Sequence, residues 1–375
     1  MAPVSAFLIV FATGFLAALL ITPVACRIGH KAGIVSKPGG RRKHEGSIPR
    51  TGGISLFAAF ILALIVSQLF VVNPNDVPDN LPATLTVLRF DPKEVIRLAG
   101  LIGGTALIFV IGMLDDRLEL PPLVLYIGQL AAGSIAVLFL IFIEYVNNPF
   151  SGLQTADFPY LFTIVITLFW IGLLTNTVNF LDGVDGLATG VVALACLVLF
   201  LNAAFRLEPA QYSVALMPLA LLGATLGFLP YNFAPARIFL GGGAYLLGYL
   251  LGLLSIIGGA KVATILLVMG LPLLDTVWQI VNRVARGQNP AVGDRGHLHF
   301  RLVDMGVPQT RIVLGYYLFC AVFGGLSLII PSQIYKFVAL VVMAAISAGG
   351  FAWTTLRAPT DPGVRPEAKP EGDTP

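Results

Sequence analysis

"YLFTIVITLFWIGLLTNTVNFLDGVDGLATG", residues 160–190, begins as an uncharged run and ends in Asn176, Asn179, Asp182 and Asp185. A second apolar run follows directly. An apolar run of this length reads as a helix crossing a bilayer. Amides and carboxylates are costly in hydrocarbon, the carboxylates most of all. Their place is therefore a membrane border, where a bound partner can compensate them.

The pattern recurs along the chain. Of 375 residues, 57% are hydrophobic and 11% are charged, against about 25% charged in an average soluble domain. Apolar runs lie near 4–25, 53–72, 95–114, 122–143, 159–175, 186–205, 212–229, 239–258, 261–281, 312–330 and 334–353. A hydrocarbon core of ~30 Å takes about 20 such residues per helix. The expected fold is therefore all-α: a polytopic membrane protein of about eleven transmembrane helices. Pro218 interrupts the seventh run, and a very short turn at Gly258–Lys261 separates the eighth and ninth. Residues 1–356 form the membrane domain in this reading, and the Pro-rich, polar segment 357–375 is a disordered cytoplasmic tail. The N-terminal run has no basic region before it and reads as a first span, not a cleaved signal. Cys26, Cys196 and Cys320 lie in or beside apolar runs, where cysteine serves as a packing residue.

The net charge of +3 is small, and its distribution matters more. With the N-terminus outside, Arg27, Lys31, Lys37, Arg41, Arg42, Lys43 and Arg50 fall in the first cytoplasmic loop. Arg283, Arg286, Arg295, Arg301 and Arg311 fall in a later one on the same side. Only Arg89, Lys93, Arg97, Arg206, Lys261 and Lys336 face outward. The asymmetry predicts an N-out, C-in topology. Five polar segments then meet at one face: "KPGGRRKHEGSIPRTGG", "GMLDDRLEL", "NTVNFLDGVDG", "FLPYNFAPARIFLGGG" and "NRVARGQNPAVGDRGHLHFRL".

Asp115 and Asp116 taken alone would read as a solvated helix end. Beside Asp182 and Asp185 they form an acidic cleft suited to Mg²⁺, a hard cation that shares oxygen ligands with substrate phosphates. Asn176, Asn179 and Asp182 are three apart, along one helix face; the plain alternative is polar glue between helices. Asp275 is balanced between a ligand and a structural hydrogen bond. His297 and His299, beside Arg295, suit a phosphate or diphosphate better than a transition metal. The set implies phosphoryl transfer between a soluble donor and a lipid.

"GMLDDR", "NTVNFLDGVDGLATG", "YNFAPARIFLGG" and "DTVWQIVNRVARGQNPAVGDRGHLHFRL" resemble the polyprenyl-phosphate N-acetylhexosamine-1-phosphate transferases, from about Gly33 to Gly306. "DRGHLH" and "RRKHEGSIPRTGG" look like the GlcNAc-1-phosphate branch, a relative of the phospho-MurNAc-pentapeptide translocases. The resemblance implies transfer of a sugar 1-phosphate from a UDP-N-acetylhexosamine to undecaprenyl or similar phosphate, releasing UMP, with Mg²⁺ (or Mn²⁺) as cofactor. It implies catalytic Asp115, Asp116, Asp182 and Asp185, with Asp115, Asp116 and Asp182 on the metal. It implies substrate contacts from Arg42, His44, Arg50, Asn176, Asn179, Asn232, Arg295, His297 and His299. The expected setting is a bacterial inner membrane with a cytoplasmic active site. The partners are the nucleotide sugar, polyprenyl phosphate and membrane lipid, with no nucleic acid; a homodimer is an allowed assembly.

Two departures stand out. The family's H-x-H-H motif here ends in Phe300. After "RIFLG" the family carries an Asp, but Gly241, Gly242 and Gly243 supply no carboxylate, as though it were deleted. Weak Mg²⁺ binding is then expected, and an Asp inserted between Gly241 and Gly242 should strengthen it. The competing readings are a catalytically impaired family member that binds lipid phosphate or a partner, and an ion-coupled transporter. The transporter predicts mid-span acids and paired repeats; here the acids gather at one border.

Overall fold

The computed structural model describes residues 2–36, 46–78, 81–151, 153–258, 262–287 and 296–357. Among these, the helices are α1 (Val4–Ala32), α2 (Gly52–Gln68), α3 (Glu94–Leu118), α4 (Pro122–Leu138), α5 (Tyr160–Leu181), α6 (Leu187–Phe205) and α7 (Tyr212–Asn232). They continue with α8 (Gly243–Ile257), α9 (Val262–Val268), α10 (Gly270–Ala285), α11 (Leu298–Asp304), α12 (Gln309–Ile329) and α13 (Gln333–Arg357). Two short strand pairs sit in loops: β1 (Val35–Ser36) runs antiparallel to β2 (Ile48–Pro49), and β3 (Val71–Val72) parallel to β4 (Val87–Leu88).

Each apolar run coincides with a helix, and the chain is a multi-pass membrane protein. The helices differ in reach. Seven are long and apolar enough to cross: α1, α3, α5, α6, α7, α12 and α13. The ninth run breaks into α9 and α10, bent by 84°, and makes an eighth span if the pair is counted as one. α2, α4 and α8 are apolar but have 17, 17 and 15 residues, which at 1.5 Å per residue cover only about 22–26 Å. Length and composition thus support seven or eight of the eleven expected spans. Pro218 does not interrupt α7, which runs through it and through Pro230. Neighbouring helices enclose α7 and tolerate the lost backbone hydrogen bond. Arg357 is the last residue of α13; the rest of the tail lies outside the described residues.

The interior is built on α6, α7 and α8, whose side chains are buried almost all round. Small residues allow the closest approach: a Cβ on Gly223 would stand 2.4 Å from the Phe11 carbonyl oxygen of α1, and one on Gly227 2.1 Å from that of Phe15. Without a hydrophobic drive between helices in lipid, such packing is what holds them. Outward faces carry apolar residues every fourth position, as in Leu161, Val165 and Phe169 of α5 and Leu314, Leu318 and Val322 of α12. Those stripes suit lipid contact. Cys196 and Cys320 are buried thiols and Cys26 is half-buried, in keeping with packing roles.

α3 is the axis that positions the site. Glu94 opens it and Asp115 and Asp116 close it, which sets the two acidic ends about 33 Å apart along the helix.

Candidate active site at the converging helix ends

Arg50 leaves β2 and is held by backbone pairing on both sides. Its N–H donates to the Ile34 carbonyl at 3.1 Å; Phe239 N–H donates to Pro49 at 2.8 Å, and Gly52 N–H donates to Phe239 at 3.0 Å. The basic first loop is thereby tied to the segment that opens α8. The Arg50 side chain, 23% exposed, reaches Asp116, whose side chain is 1% exposed, at 3.3 Å from Nη2 to Oδ1. Asp116 Oδ2 accepts the Gly242 N–H at 2.7 Å. Oδ1 is buried and accepts no hydrogen bond, so the ionic contact with Arg50 is all that compensates it.

The neighbouring Asp115 points elsewhere, because adjacent residues on a helix diverge by about 100°. It is half-buried, and its Oδ1 accepts the Leu120 N–H at 3.0 Å. Asp182 caps the C-terminus of α5. It keeps some accessible surface, yet burial among its neighbours holds its carboxyl well above the ordinary range; Arg50 pulls it down, while Asp185 and Asp116 push it further up. One arginine thus lies within the field of Asp115, Asp116 and Asp182. Asp185 Oδ2 accepts the Ala236 N–H at 2.9 Å, joining the acidic turn to the loop after α7. The Tyr317 hydroxyl donates to the Gly186 carbonyl at 2.6 Å and pins the same turn from α12.

The amides divide. Asn176 donates to Gln129 of α4 and to the Gly172 carbonyl, both at 2.8 Å. Asn179 is hydrogen-bonded to Tyr245 of α8, which also lies in the field of Asp115 and Asp116. The shared helix face therefore spans two neighbours. Asn232 is 1% exposed; it accepts from Thr189 at 2.7 Å and donates to the Ile238 carbonyl at 3.0 Å. Those contacts join α7, α6 and the segment leading to α8.

His297 precedes α11, with Nδ1 2.9 Å from Asp275 Oδ2. Its ring lies parallel to that of His299, centroids 5.6 Å apart, and 5.3 Å from Phe180. His299 is fully buried. A Cβ on Gly183 would stand 2.7 Å from His299 Nε2 and 2.4 Å from the Phe300 ring. The histidine segment thus rests on the acidic turn at a residue without a side chain. Arg42, His44 and Arg295 lie outside the described residues.

The three-glycine segment is closed, not vacant. Gly241 has φ +56°, and a Cβ there would meet the Arg50 carbonyl oxygen at 2.1 Å and both Asp116 oxygens at 2.5 Å. At Gly242 a Cβ would meet the Gly112 backbone at 2.3 Å. The expected benefit of an inserted Asp meets a physical obstacle: an added residue would separate α8 from α3 before its carboxylate reached the cluster.

Beside the acidic turn an apolar groove of about 440 Å³ runs between α4, α5 and α10, lined by Tyr126, Leu130, Phe169, Leu173 and Ile280 and ending at Asn176 and Phe180. Among the described residues, no three carboxylates, histidines or cysteines form a ready-made metal cage. The donor chemistry still suits a hard cation. Asp116 Oδ1 is buried without a hydrogen bond, and Asp182 is crowded by two further acids; Mg²⁺ completes such a sparse set with water and phosphate oxygens.

Sequence reasoning left Tyr245, Gln129 and the Gly242 N–H unremarked. Tyr245 and Gln129 carry no motif signal, and although Gly242 ends a motif, nothing in that motif shows that its N–H reaches Asp116; each arrives through helix packing.

The family model for glycosyl transferase family 4 matches residues 98–259. The chain is 30% identical over 371 residues to a decaprenyl-phosphate N-acetylglucosaminephosphotransferase of Mycolicibacterium smegmatis, covering 91% of this chain and 85% of that one. It is 32% identical over 309 residues to a phospho-N-acetylmuramoyl-pentapeptide-transferase of Moorella thermoacetica, covering 76% and 86%. An undecaprenyl-phosphate alpha-N-acetylglucosaminyl 1-phosphate transferase of Escherichia coli is 25% identical over 309 residues, covering 79% and 76%.

Proposed function

Because this chain belongs to glycosyl transferase family 4, we propose that it transfers N-acetylglucosamine 1-phosphate from UDP-GlcNAc to a polyprenyl phosphate and releases UMP. The observation that carries this reading is the meeting of Arg50, Asp116, Asp182 and the His297–His299 segment beside an apolar groove. A lipid phosphate needs both surfaces at once: a groove for the chain and a charged end for the phosphate.

The lipid tail lies in the groove of α4, α5 and α10, with its phosphate at the level of Asn176 and Phe180. A phosphate oxygen attacks the sugar-bearing phosphorus of the nucleotide sugar. The bond to UMP breaks, and a lipid diphosphate sugar forms. The attacking group is already an anion, so positioning and charge stabilisation dominate the rate. Arg50 grips phosphate oxygens, and His297 and His299 face the diphosphate. Asp116 and Asp182 would hold Mg²⁺, which neutralises charge on the transferring phosphoryl group when bound; Asp115, whose Oδ1 is taken by the Leu120 N–H, adds its charge to the field around them.

The Lys and Arg asymmetry supports an outward N-terminus and a site on the cytoplasmic side of the bacterial inner membrane, the orientation that eleven crossings would give. Cysteine at Arg117 should label from the cytoplasm only, and cysteine at Glu208 from outside only; the reverse pattern would invert the topology. The reaction is tested with purified protein, radiolabelled UDP-GlcNAc and undecaprenyl phosphate. Labelled lipid and UMP should appear in equal amounts, and their absence across UDP-sugars and lipid lengths would refute the reading.

A further inference from the structure

Asp275 lies outside the acidic cluster, on the buried face of α10, and is 3% exposed. Its two oxygens make two contacts with one short segment. Oδ2 lies 2.9 Å from His297 Nδ1, and Oδ1 accepts the Leu298 N–H at 3.0 Å. One turn further along α10, Gln279 Nε2 donates to the Gly296 carbonyl. Residues 296–298 are thus held by two side chains of one helix, spaced i and i+4. Phe180 and His299 flank the imidazole ring.

We propose that Asp275 is a positioning residue that fixes the tautomer and the aim of His297. A carboxylate can only accept, so Nδ1 must carry the proton that bridges them. Nε2 is then the free nitrogen of the neutral ring, and gains a proton when the ring is charged. With Nδ1 committed to α10, Nε2 becomes the only ring nitrogen available to a ligand. His297 is in ring contact both with Phe180, which lines the apolar groove, and with His299, which rests on the acidic turn. The aimed nitrogen therefore serves the place where lipid phosphate and nucleotide diphosphate meet. The role in turnover rests on the proposed transfer reaction; the tautomer does not.

The test is Asp275→Asn in the full-length protein. The Asn carbonyl still accepts the Leu298 N–H and keeps the start of α11. Its amide donates to Nδ1, which expels the ring proton to Nε2. The protein has four histidines, so ¹⁵N-histidine labelling resolves His297 by comparison with a His297→Gln sample, read near pH ~8.5 where an ordinary histidine is neutral. The wild type should show a protonated Nδ1 and the variant a protonated Nε2. Turnover should fall on the order of 10²-fold, at the upper end of what a partner behind a working histidine contributes. In a His297→Gln background the same Asp275→Asn change should cost little more, because its route is already cut.

A wild-type ring protonated on Nε2 would overturn the proposal, even if the variant failed to fold. So would an inverted tautomer with unchanged turnover, or losses that multiply in the double variant. A wild type without transfer activity but with the tautomer inversion intact would refute the reaction and leave the dyad standing.

Discussion

The two ends of α3 carry acids in opposite circumstances. At the first end Glu94 is 2% exposed, sits 3.2 Å from Arg89 and accepts the Ser213 hydroxyl at 2.6 Å. Nearby, Asp91 pairs with Arg97 at 2.7 Å. Each acid has its own arginine, although a cavity of about 450 Å³ opens beside them. At the other end Asp115, Asp116 and Asp182 share Arg50, Asp185 adds a further charge beside Asp182, and Asp116 Oδ1 is buried without a hydrogen bond. A buried charge left short of partners is costly. The first end is neutralised by the protein itself and reads as structure. The second is left short and reads as a place for ligands.

The contrast breaks most sharply under charge removal. Asp116→Asn and Asp182→Asn should each lower turnover by about 10²–10³-fold, the range for losing one electrostatic contact to a transition state, with little change in melting. Full activity in both would dissolve the distinction between the ends. Glu94→Gln should do the opposite. It breaks a buried pair and should cost about 3 kcal/mol of stability, seen as a lower melting temperature in detergent, while turnover per folded molecule holds. Asn232→Ala tests a residue that stands between the two classes. Its amide is taken up by Thr189 and Ile238, so the expected loss is about 1–2 kcal/mol, with turnover reduced less than tenfold. A much larger activity loss at unchanged melting would move Asn232 to the substrate. Asp91→Asn should matter least: its side chain is 40% exposed, and such a pair contributes about 0.5 kcal/mol or less. A melting shift as large as that of Glu94→Gln would contradict the ranking.

The helices were legible because hydrocarbon demands long apolar runs, and all eleven runs are helical. Their lengths were less so, since α2, α4 and α8 are shorter than the runs that contain them. The break between α9 and α10 left no clear trace, because glycine and proline are common in membrane helices. Within the site, the acids and histidines could be picked out by type and by the single face they share. Their partners could not. Nothing local tells that Asp115 turns to Leu120 while Asp116 turns to Gly242, or that Asp275 reaches across 22 residues to His297. The glycines at 241–243 were legible only as an absent carboxylate. That Gly241 packs on Arg50 and Asp116, Gly242 on Gly112 and Gly243 on Gly53 is set by helix packing that no local signal carries.

The central claim is that the uncompensated end of α3 carries the transfer reaction. The most direct measurement compares wild type, Asp116→Asn and Glu94→Gln, purified at matched folded concentration, for UMP released per labelled lipid formed from UDP-GlcNAc and undecaprenyl phosphate. The account predicts equal UMP and lipid product from wild type and Glu94→Gln, and a loss of about 10²–10³-fold in Asp116→Asn. Equal turnover in Asp116→Asn and wild type, or a collapse confined to Glu94→Gln, would contradict it.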